Sequence, residues 1–240
     1  MRRLSIFTET PVIKNIIIIN VIMFVLMFIY DNQFAYTGEF EKTLNYKLGL
    51  HYFGSPDFRP WQIVTHFFMH ASVSHIFFNM FSLFSLGVIL EKVWGAKRFL
   101  IFYLICGLGA ALMHELAQAF QVYQACQSFI YNPDTLTALQ KVKLNGTISV
   151  AVGASGAIFG VFAAFALLFP NQELFIFFIP IPIKAKYVIG ALVCIDFYLG
   201  FKGTSLFGYG DNIAHFAHIG GAITGFIMVQ IWKRNRTTFW

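Results

Sequence analysis

Apolar residues form six long stretches along the chain, separated by segments that carry most of the charges. A helix needs about 20 apolar residues to cross the hydrocarbon core of a bilayer, so each stretch predicts a membrane-spanning helix. The predicted spans are Val12–Tyr30, Ser72–Trp94, Phe99–Phe120, Gly153–Phe169, Tyr187–Phe201 and Ile213–Trp232, of which the fourth and fifth are short. The pattern predicts an all-α, polytopic membrane protein with a single domain over residues 1–240.

The remaining segments are polar, with one exception. The run Leu174–Ile183 is apolar but too short to span, and Pro180 and Pro182 interrupt it, so we expect it at a membrane interface. The long polar segments Asp31–Ala71 and Gln121–Val152 are predicted to be loops on one side of the membrane.

The distribution of Lys and Arg predicts which way the spans point, because cytoplasmic loops carry an excess of both. With the N-terminus inside, eleven fall in cytoplasmic segments: Arg2, Arg3, Lys14, Lys92, Lys97, Arg98, Lys184, Lys186, Lys233, Arg234 and Arg236. Six fall in outer segments: Lys42, Lys47, Arg59, Lys141, Lys143 and Lys202. Both termini are therefore predicted to be cytoplasmic.

Composition supports an integral membrane protein that contacts the lipid bilayer. Hydrophobic residues make up 58% of the chain and charged residues only 12%, about half the share in soluble domains. The net charge of +6 is spread along the chain rather than concentrated in a patch, so no nucleic-acid partner is expected. Three Cys residues, two of them in apolar runs, do not indicate a disulfide framework.

Several polar residues lie inside the predicted spans, where they are costly and by default indicate function. At 1.5 Å per residue, Ser155 lies about 22 Å above the cytoplasmic end of the fourth span. His218 lies about 22 Å above Lys233, and Asn79 about 20 Å above Lys92. All three residues are thus predicted to share one depth, several Å below the outer surface, which indicates a common site.

Glycine spacing predicts how the fourth and sixth spans meet. Gly156-x-x-x-Gly160 and Gly221-x-x-x-Gly225 are patterns that allow helices to pack closely, and each lies just inward of its polar residue. Close packing there brings the Ser155 hydroxyl within reach of the His218 imidazole, a nucleophile beside a general base. The backbone N–H of Ser155, at a helix N-terminus, is a candidate oxyanion donor. His75 and Asn79, one helical turn apart, are candidate side-chain donors.

At these residues the sequence resembles the rhomboid intramembrane serine proteases. The matching motifs are Gly153-Ala154-Ser155-Gly156, Ala217-His218 followed by Gly221 and Gly225, His75 with Asn79, and Gly87-x-x-x-Glu91-x-x-x-Gly95. The resemblance covers the six-span core and implies a rhomboid-like bundle that hydrolyses peptide bonds in the transmembrane helices of membrane-protein substrates, near the outer side.

The resemblance also implies residue roles, with no cofactor and no metal. Ser155 would be the nucleophile and His218 its general base; His75, Asn79 and the Ser155 backbone N–H would form the oxyanion hole. Phe159 matches an aromatic residue that packs on the catalytic imidazole, and Gly153, Gly156 and Gly221 are supporting residues. Because the family uses a Ser–His dyad, neither Asp196 nor Asp211 is needed to complete a triad, and neither belongs to a motif.

Three further expectations follow. The Gly-rich segment Lys202–Asn212 is a candidate mobile cap over the site. The order Arg59-Pro60-Trp61-Gln62 departs from the Trp-Arg pair of many family members. Compactness and the lack of a targeting segment favour a bacterial cell (inner) membrane.

Two alternatives remain open. His66-x-x-x-His70, which at helical spacing would put both rings on one face, and His215-x-x-His218 suggest an intramembrane metal site. However, no His-Glu-x-x-His motif occurs, and no carboxylate is expected at the depth of these histidines. The second alternative is a non-catalytic family member that binds membrane helices. Otherwise, His66, His70 and His215 are interpreted as packing residues or as the lining of a water-filled entrance.

Overall fold

A computed structural model of the protein describes residues 9–34, 37–144, 148–176, 179–202 and 214–234. Its α-helices are α1 (Pro11–Asp31), α2 (Leu44–Leu48), α3 (Gln62–Thr65), α4 (Val73–Ser82), α5 (Val88–Trp94), α6 (Ala96–Cys126), α7 (Ala138–Leu144), α8 (Ser155–Leu168), α9 (Ala185–Lys202) and α10 (Ala214–Arg234). A π-helical turn, Leu83–Gly87, joins α4 to α5, and 3-10 turns occur at Asn32–Phe34, Phe40–Lys42 and His66–Phe68.

The described parts of the six predicted spans are largely helical, and the second of them comprises α4, the π-helical turn and α5. Within the described residues, three helices are long and apolar enough to cross a membrane: Pro11–Phe34, Val73–Trp94 and Ala96–Cys126. The third extends past its predicted end at Phe120 to Cys126, over a stretch that contains no Gly or Pro to interrupt the helix. Helix α8 is apolar but has only 14 residues.

A small sheet adds to the helices, so the all-α description is incomplete. Strands β1 (Glu173–Ile176) and β2 (Ile179–Lys184) form an antiparallel pair, with Leu174 opposite Ile183. This hairpin occupies the apolar run that was expected at an interface. Helix α9 begins directly after it, at Ala185.

Buried Glu91 ties α5 to the start of α1. Its carboxylate accepts hydrogen bonds from the backbone N–H groups of Val12 and Ile13, both at 2.9 Å. These N–H groups have no partner within their own helix, so the carboxylate caps α1 and lies at the positive end of its dipole. Glu91 is only 1% exposed, which accounts for a carboxylate in a sequence segment that is otherwise apolar.

The helices that carry the polar residues form the centre of the bundle. Helix α10 packs against both α6 and α8, and α9 packs against α8 and α10. At one end of the α8–α10 pair Ser155 contacts His218, and at the other the Lys233 ammonium donates to the Leu167 carbonyl at 3.2 Å. The two helices therefore run in the same direction and remain paired along the length of α8.

The candidate cap at 202–212 lies, apart from its first residue, outside the described residues, as does Asp211.

Candidate active site

Ser155 is the first residue of α8, and the chain just before it is irregular. Gly153 has φ of +118°, a conformation that residues with a Cβ rarely adopt. Ala154 occupies the capping position and offers no side-chain acceptor to the first turn. The N–H groups at this helix end therefore remain available as donors, as the oxyanion hypothesis requires.

His218, in the second turn of α10, faces the Ser155 side chain. Its Nε2 lies 2.8 Å from Ser155 Oγ, within hydrogen-bond distance. The Phe159 ring stacks on the imidazole, with the centroids 4.2 Å apart and the planes 5° from parallel. Phe159 comes from the second turn of α8, so one short helix supplies both the hydroxyl and the stacking ring.

The two predicted oxyanion side chains come from α4 and lie against Gly153. A Cβ on Gly153 would lie 2.8 Å from His75 Nε2 and 3.7 Å from Asn79 Nδ2, so the absence of a side chain there permits the approach. Asn79 is 6% exposed, and its Nδ2 donor has no partner in the described structure. A buried donor without a partner is costly unless a bound ligand supplies an acceptor.

The tautomer of His75 suits the same role. Its Nδ1 accepts a long hydrogen bond, 3.4 Å, from the Ala71 backbone N–H, which puts the ring proton on Nε2. Ser72 caps α4 by accepting from the His75 backbone N–H at 3.1 Å, and this bond fixes the turn that carries the ring.

A cavity of about 200 Å³ lies beside the serine–histidine pair. Its lining includes His75, Ser155 and His218, together with residues 149–153. His66 and His114 also contribute to the wall. The lining is mostly apolar with a few convergent polar groups, the character of a ligand pocket.

The glycines allow the approach of α8 to α10 and α6. A Cβ at Gly221 would overlap the Gly156 carbonyl oxygen, and one at Gly225 would lie 2.6 Å from the Gly160 carbonyl oxygen. A Cβ at Gly156 would collide with Ala110 of α6. The structure thus brings both predicted glycine pairs into one close helix crossing.

Asp196 is the residue of this site that the sequence hypothesis left out. It lies in α9, and its carboxylate is 2.7 Å from His215 Nδ1 and 3.1–3.2 Å from His218 Nδ1. The expectation that no carboxylate accompanies these histidines is wrong, because packing of α9 on α10 brings Asp196 to them. The only sequence signal was its position as a lone acid in an apolar helix.

The same three side chains are the one group of possible metal ligands in the described part of the chain, with ligand atoms within 4.8 Å of one another. Those atoms already pair in hydrogen bonds, so the group is satisfied as it stands.

His66 and His70 are not arranged as their spacing suggested. Helix α3 ends at Thr65, a 3-10 turn follows, and Met69 is extended, so the two rings do not share a helix face. The His66 Nδ1–H donates to the Gln62 carbonyl at 2.7 Å, and the His70 ring packs 5.0 Å from that of His75. Burial lowers the pKa of His66 to about 4 and that of His70 to about 3.

Gln62 organises the loop in which the Trp-Arg order departs from the family. Its Oε1 accepts from the backbone N–H of Arg59 at 2.9 Å and of His51 at 3.4 Å. Its Nε2 donates to the carbonyls of Lys47 and Asp57, both at 3.3 Å. One buried amide therefore connects four points of the segment that precedes α4.

The low pKa of His66 predicts a pH-dependent stability. Between its unfolded pKa of 6.5 and its folded pKa of about 4, the unfolded chain binds a proton that the folded chain does not. The free energy of unfolding should therefore decrease as the pH falls through this range, by on the order of 3 kcal/mol, and the loss should stop below pH 4. SDS-induced unfolding in micelles at several pH values measures this decrease in the free energy of unfolding. His66→Gln should lose less stability than wild type over this range, and equal slopes would contradict the assignment.

Three of the described helices are long and apolar enough to span a bilayer, which is typical of a multi-span membrane protein. Its candidate site is a serine–histidine contact at the end of a short apolar helix. Residues 57–235 match the family described as the Rhomboid domain, and the chain belongs to this family. It is an integral membrane protein.

Individual relatives of the chain are also rhomboid proteins. The Rhomboid protease AarA of Providencia stuartii is 29% identical over 175 residues, which cover 69% of this chain and 53% of that protein. The Rhomboid protease GluP of Bacillus subtilis is 29% identical over 167 residues, 69% of this chain and 25% of that protein. RHOMBOID-like protein 12, mitochondrial, of Arabidopsis thaliana is 24% identical over 233 residues, 95% of this chain and 60% of that protein. The chain spans about half the length of the first of these relatives.

Proposed function

We propose that this protein is a serine endopeptidase that cleaves transmembrane helices of membrane-protein substrates, with Ser155 as nucleophile and His218 as general base. The observation that carries the proposal is the 2.8 Å contact between Ser155 Oγ and His218 Nε2, in a chain of the rhomboid family. Two of its relatives are named proteases.

The proposed reaction is acyl transfer. Ser155 Oγ attacks the scissile carbonyl carbon while His218 Nε2 takes the hydroxyl proton. The tetrahedral intermediate collapses when the protonated imidazole gives that proton to the leaving amine, which leaves an ester on Ser155. Water, deprotonated by His218, then hydrolyses the ester and frees the second product.

Charge on the carbonyl oxygen is the main electrostatic problem of this reaction. We assign its stabilisation to the Asn79 amide, the His75 Nε2–H and the Ser155 backbone N–H. Asn79 Nδ2 is buried without a partner, and both side chains lie beside Gly153, two residues before the nucleophile. The donors are in place before the reaction, so no reorganisation is required when the charge develops.

The proposed topology has six spans, with both termini in the cytoplasm. Helix α8, with 14 residues, is about 21 Å long, which is less than the hydrocarbon core of about 30 Å. With its C-terminal end at the cytoplasmic surface, Ser155 lies several Å below the outer surface, and the cavity supplies the path for water. Cleavage then falls near the outer end of a substrate helix. We propose the cell (inner) membrane of a bacterium as its location; two of the relatives are bacterial, and a plant mitochondrial relative matches as well.

A substrate helix must unwind locally to expose its carbonyl groups to Ser155. Residues that weaken helices lower this cost, by about 1 kcal/mol for Gly and about 3 kcal/mol for Pro. We therefore expect substrates to carry Gly or Pro near the outer end of the span and a small residue at the cleaved bond.

Labelling with a fluorophosphonate tests the proposal, because this reagent bonds to serine only when the hydroxyl is activated. The purified wild type should incorporate one label, located at Ser155 by mass spectrometry, and His218→Gln should incorporate almost none. EDTA should change neither labelling nor hydrolysis, since the proposed nucleophile is Ser155 and no metal takes part.

Two other outcomes would each support one of the alternatives that the sequence left open. Folded wild type that takes no label would favour a non-catalytic protein that binds membrane helices. Hydrolysis that EDTA abolishes and Zn²⁺ restores would favour a metal held by Asp196, His215 and His218.

A further inference from the structure

The Asp196 carboxylate fixes which nitrogen of His218 carries the proton. An ionised carboxylate only accepts hydrogen bonds, so the Nδ1–H groups of His215 and His218 both donate to it. With its Nδ1 protonated, a neutral His218 has its lone pair on Nε2, the atom that faces Ser155 Oγ at 2.8 Å. This is the tautomer that a general base needs.

The surroundings of Asp196 indicate that its carboxylate has specific hydrogen-bond partners. It is 12% exposed in an otherwise apolar helix, where an ionised carboxylate is costly. No Lys or Arg in the described part of the chain lies within ion-pair distance of it; its ion-pair partners there are His215 and His218. His75 lies across the cavity from His218, and His66 and His114 are the other titratable groups in the cavity lining.

His218 is thus held at three points by residues of two other helices. Ser155 of α8 lies at Nε2, Asp196 of α9 at Nδ1, and the Phe159 ring covers one face. Stacking restricts the tilt of the imidazole but is equally compatible with either tautomer. The carboxylate adds what stacking does not, a choice between the two ring nitrogens.

We propose that Asp196 is a positioning residue that holds His218 in the orientation and tautomer required to activate Ser155, while His215 supplies the second hydrogen bond that fixes the carboxylate. The site is then a Ser–His pair oriented by an acid from the preceding helix. The proposal rests on the proposed function, since it assigns the support of the same base.

The test compares wild type with Asp196→Asn and Asp196→Glu, with Cys194→Ala as a control on the same helix, where Cys194 is exposed. Fluorophosphonate labelling rates, kcat and KM for a single-span substrate, and thermal unfolding are measured for each. Asp196→Asn should lower both the labelling rate and kcat at least about tenfold, with KM and Tm close to wild type. Asp196→Glu keeps the charge and should recover part of the loss, and Cys194→Ala should match wild type.

Ring ¹⁵N spectra of His218, assigned by difference from His218→Gln, give a readout that a purely structural role does not change. The wild type should show a proton on Nδ1, and Asp196→Asn should show a shift toward Nε2 protonation. Wild-type labelling rate and tautomer in Asp196→Asn would overturn the proposal, as would a rate loss that merely follows a loss of folded protein. If Ser155→Ala labels as fast as wild type, it is the proposed function that fails.

Discussion

Replacing Ser155 by Ala is expected to abolish hydrolysis of a single-span substrate in liposomes, with a decrease in kcat on the order of 10⁴-fold or more. The substitution removes the only atom that forms the covalent bond, so binding and the oxyanion donors alone remain. Because Ala retains the small size needed where α8 packs, Tm should change little. The measurement is product formation by wild type and variant at equal protein-to-lipid ratio, with the cut expected near the outer end of the substrate helix.

Ser82→Ala is the matched control. Ser82 lies in α4, one turn from Asn79 but outside the cavity lining. Its replacement by Ala also removes one serine hydroxyl, but not one that takes part in the proposed reaction. It should cleave at the wild-type rate. Equal cleavage by wild type and Ser155→Ala would disprove the Ser155–His218 mechanism and direct attention to the histidine–aspartate group. No cleavage by any of the three would favour a helix-binding role.

Gly221→Ala is expected to destabilise the protein by about 1–3 kcal/mol, lower its Tm by several kelvin and reduce cleavage strongly. The added Cβ would overlap the Gly156 carbonyl oxygen, which is backbone and has no rotamer through which to escape. Helices α8 and α10 must then separate by a fraction of an ångström or more. Since Ser155 adjoins Gly156 and His218 lies about one turn before Gly221, their hydrogen bond should lengthen with that separation.

Gly190→Ala adds the same methyl group in α9, where nothing lies within 4 Å of the new Cβ. It should leave activity unchanged and stabilise the protein slightly, by about 0.4–1 kcal/mol, because Ala has the better helix propensity. Equal Tm values for the two variants would contradict the close crossing. A low Tm with normal activity in Gly221→Ala would show that the helix separation is not transmitted to the site.

Most of the residues that the structure brings together around Ser155 carry short-range signals in the sequence. Ser155 and His218 each stand beside a Gly-x-x-x-Gly pattern at a similar depth, and the structure places them in contact although 63 residues separate them. The π-helical turn at Leu83–Gly87 and the hairpin after α8 carried no such signal. Apolar runs of this length are compatible with helix or strand, so burial and pairing decide between them.

Asp196 illustrates most clearly which contacts could not be predicted from the sequence. One acid in an apolar helix belongs to no motif, and its partners follow it by 19 and 22 residues. Spacing across a helix-to-helix connection does not specify which faces meet. Only the packing of α9 on α10 places the carboxylate on the Nδ1 atoms of both histidines. Similarly, a helical reading of His66 and His70 failed because the chain leaves the helix at Met69, which the local sequence did not indicate.

The sequence by itself determined that this is an apolar, mostly helical membrane protein, that it resembles the rhomboid proteases, and that Ser155 and His218 are the candidate reacting pair. These properties depend on composition, on the length of apolar runs and on local spacing, which are the same in any conformation of the chain. The tertiary structure decided the 2.8 Å contact between them, the helix crossing at Gly156 and Gly221, and the hydrogen bond between Asp196 and His218 Nδ1. Those features depend on which helix faces pack together, a choice made by the summed close contacts of the whole bundle rather than by any single segment.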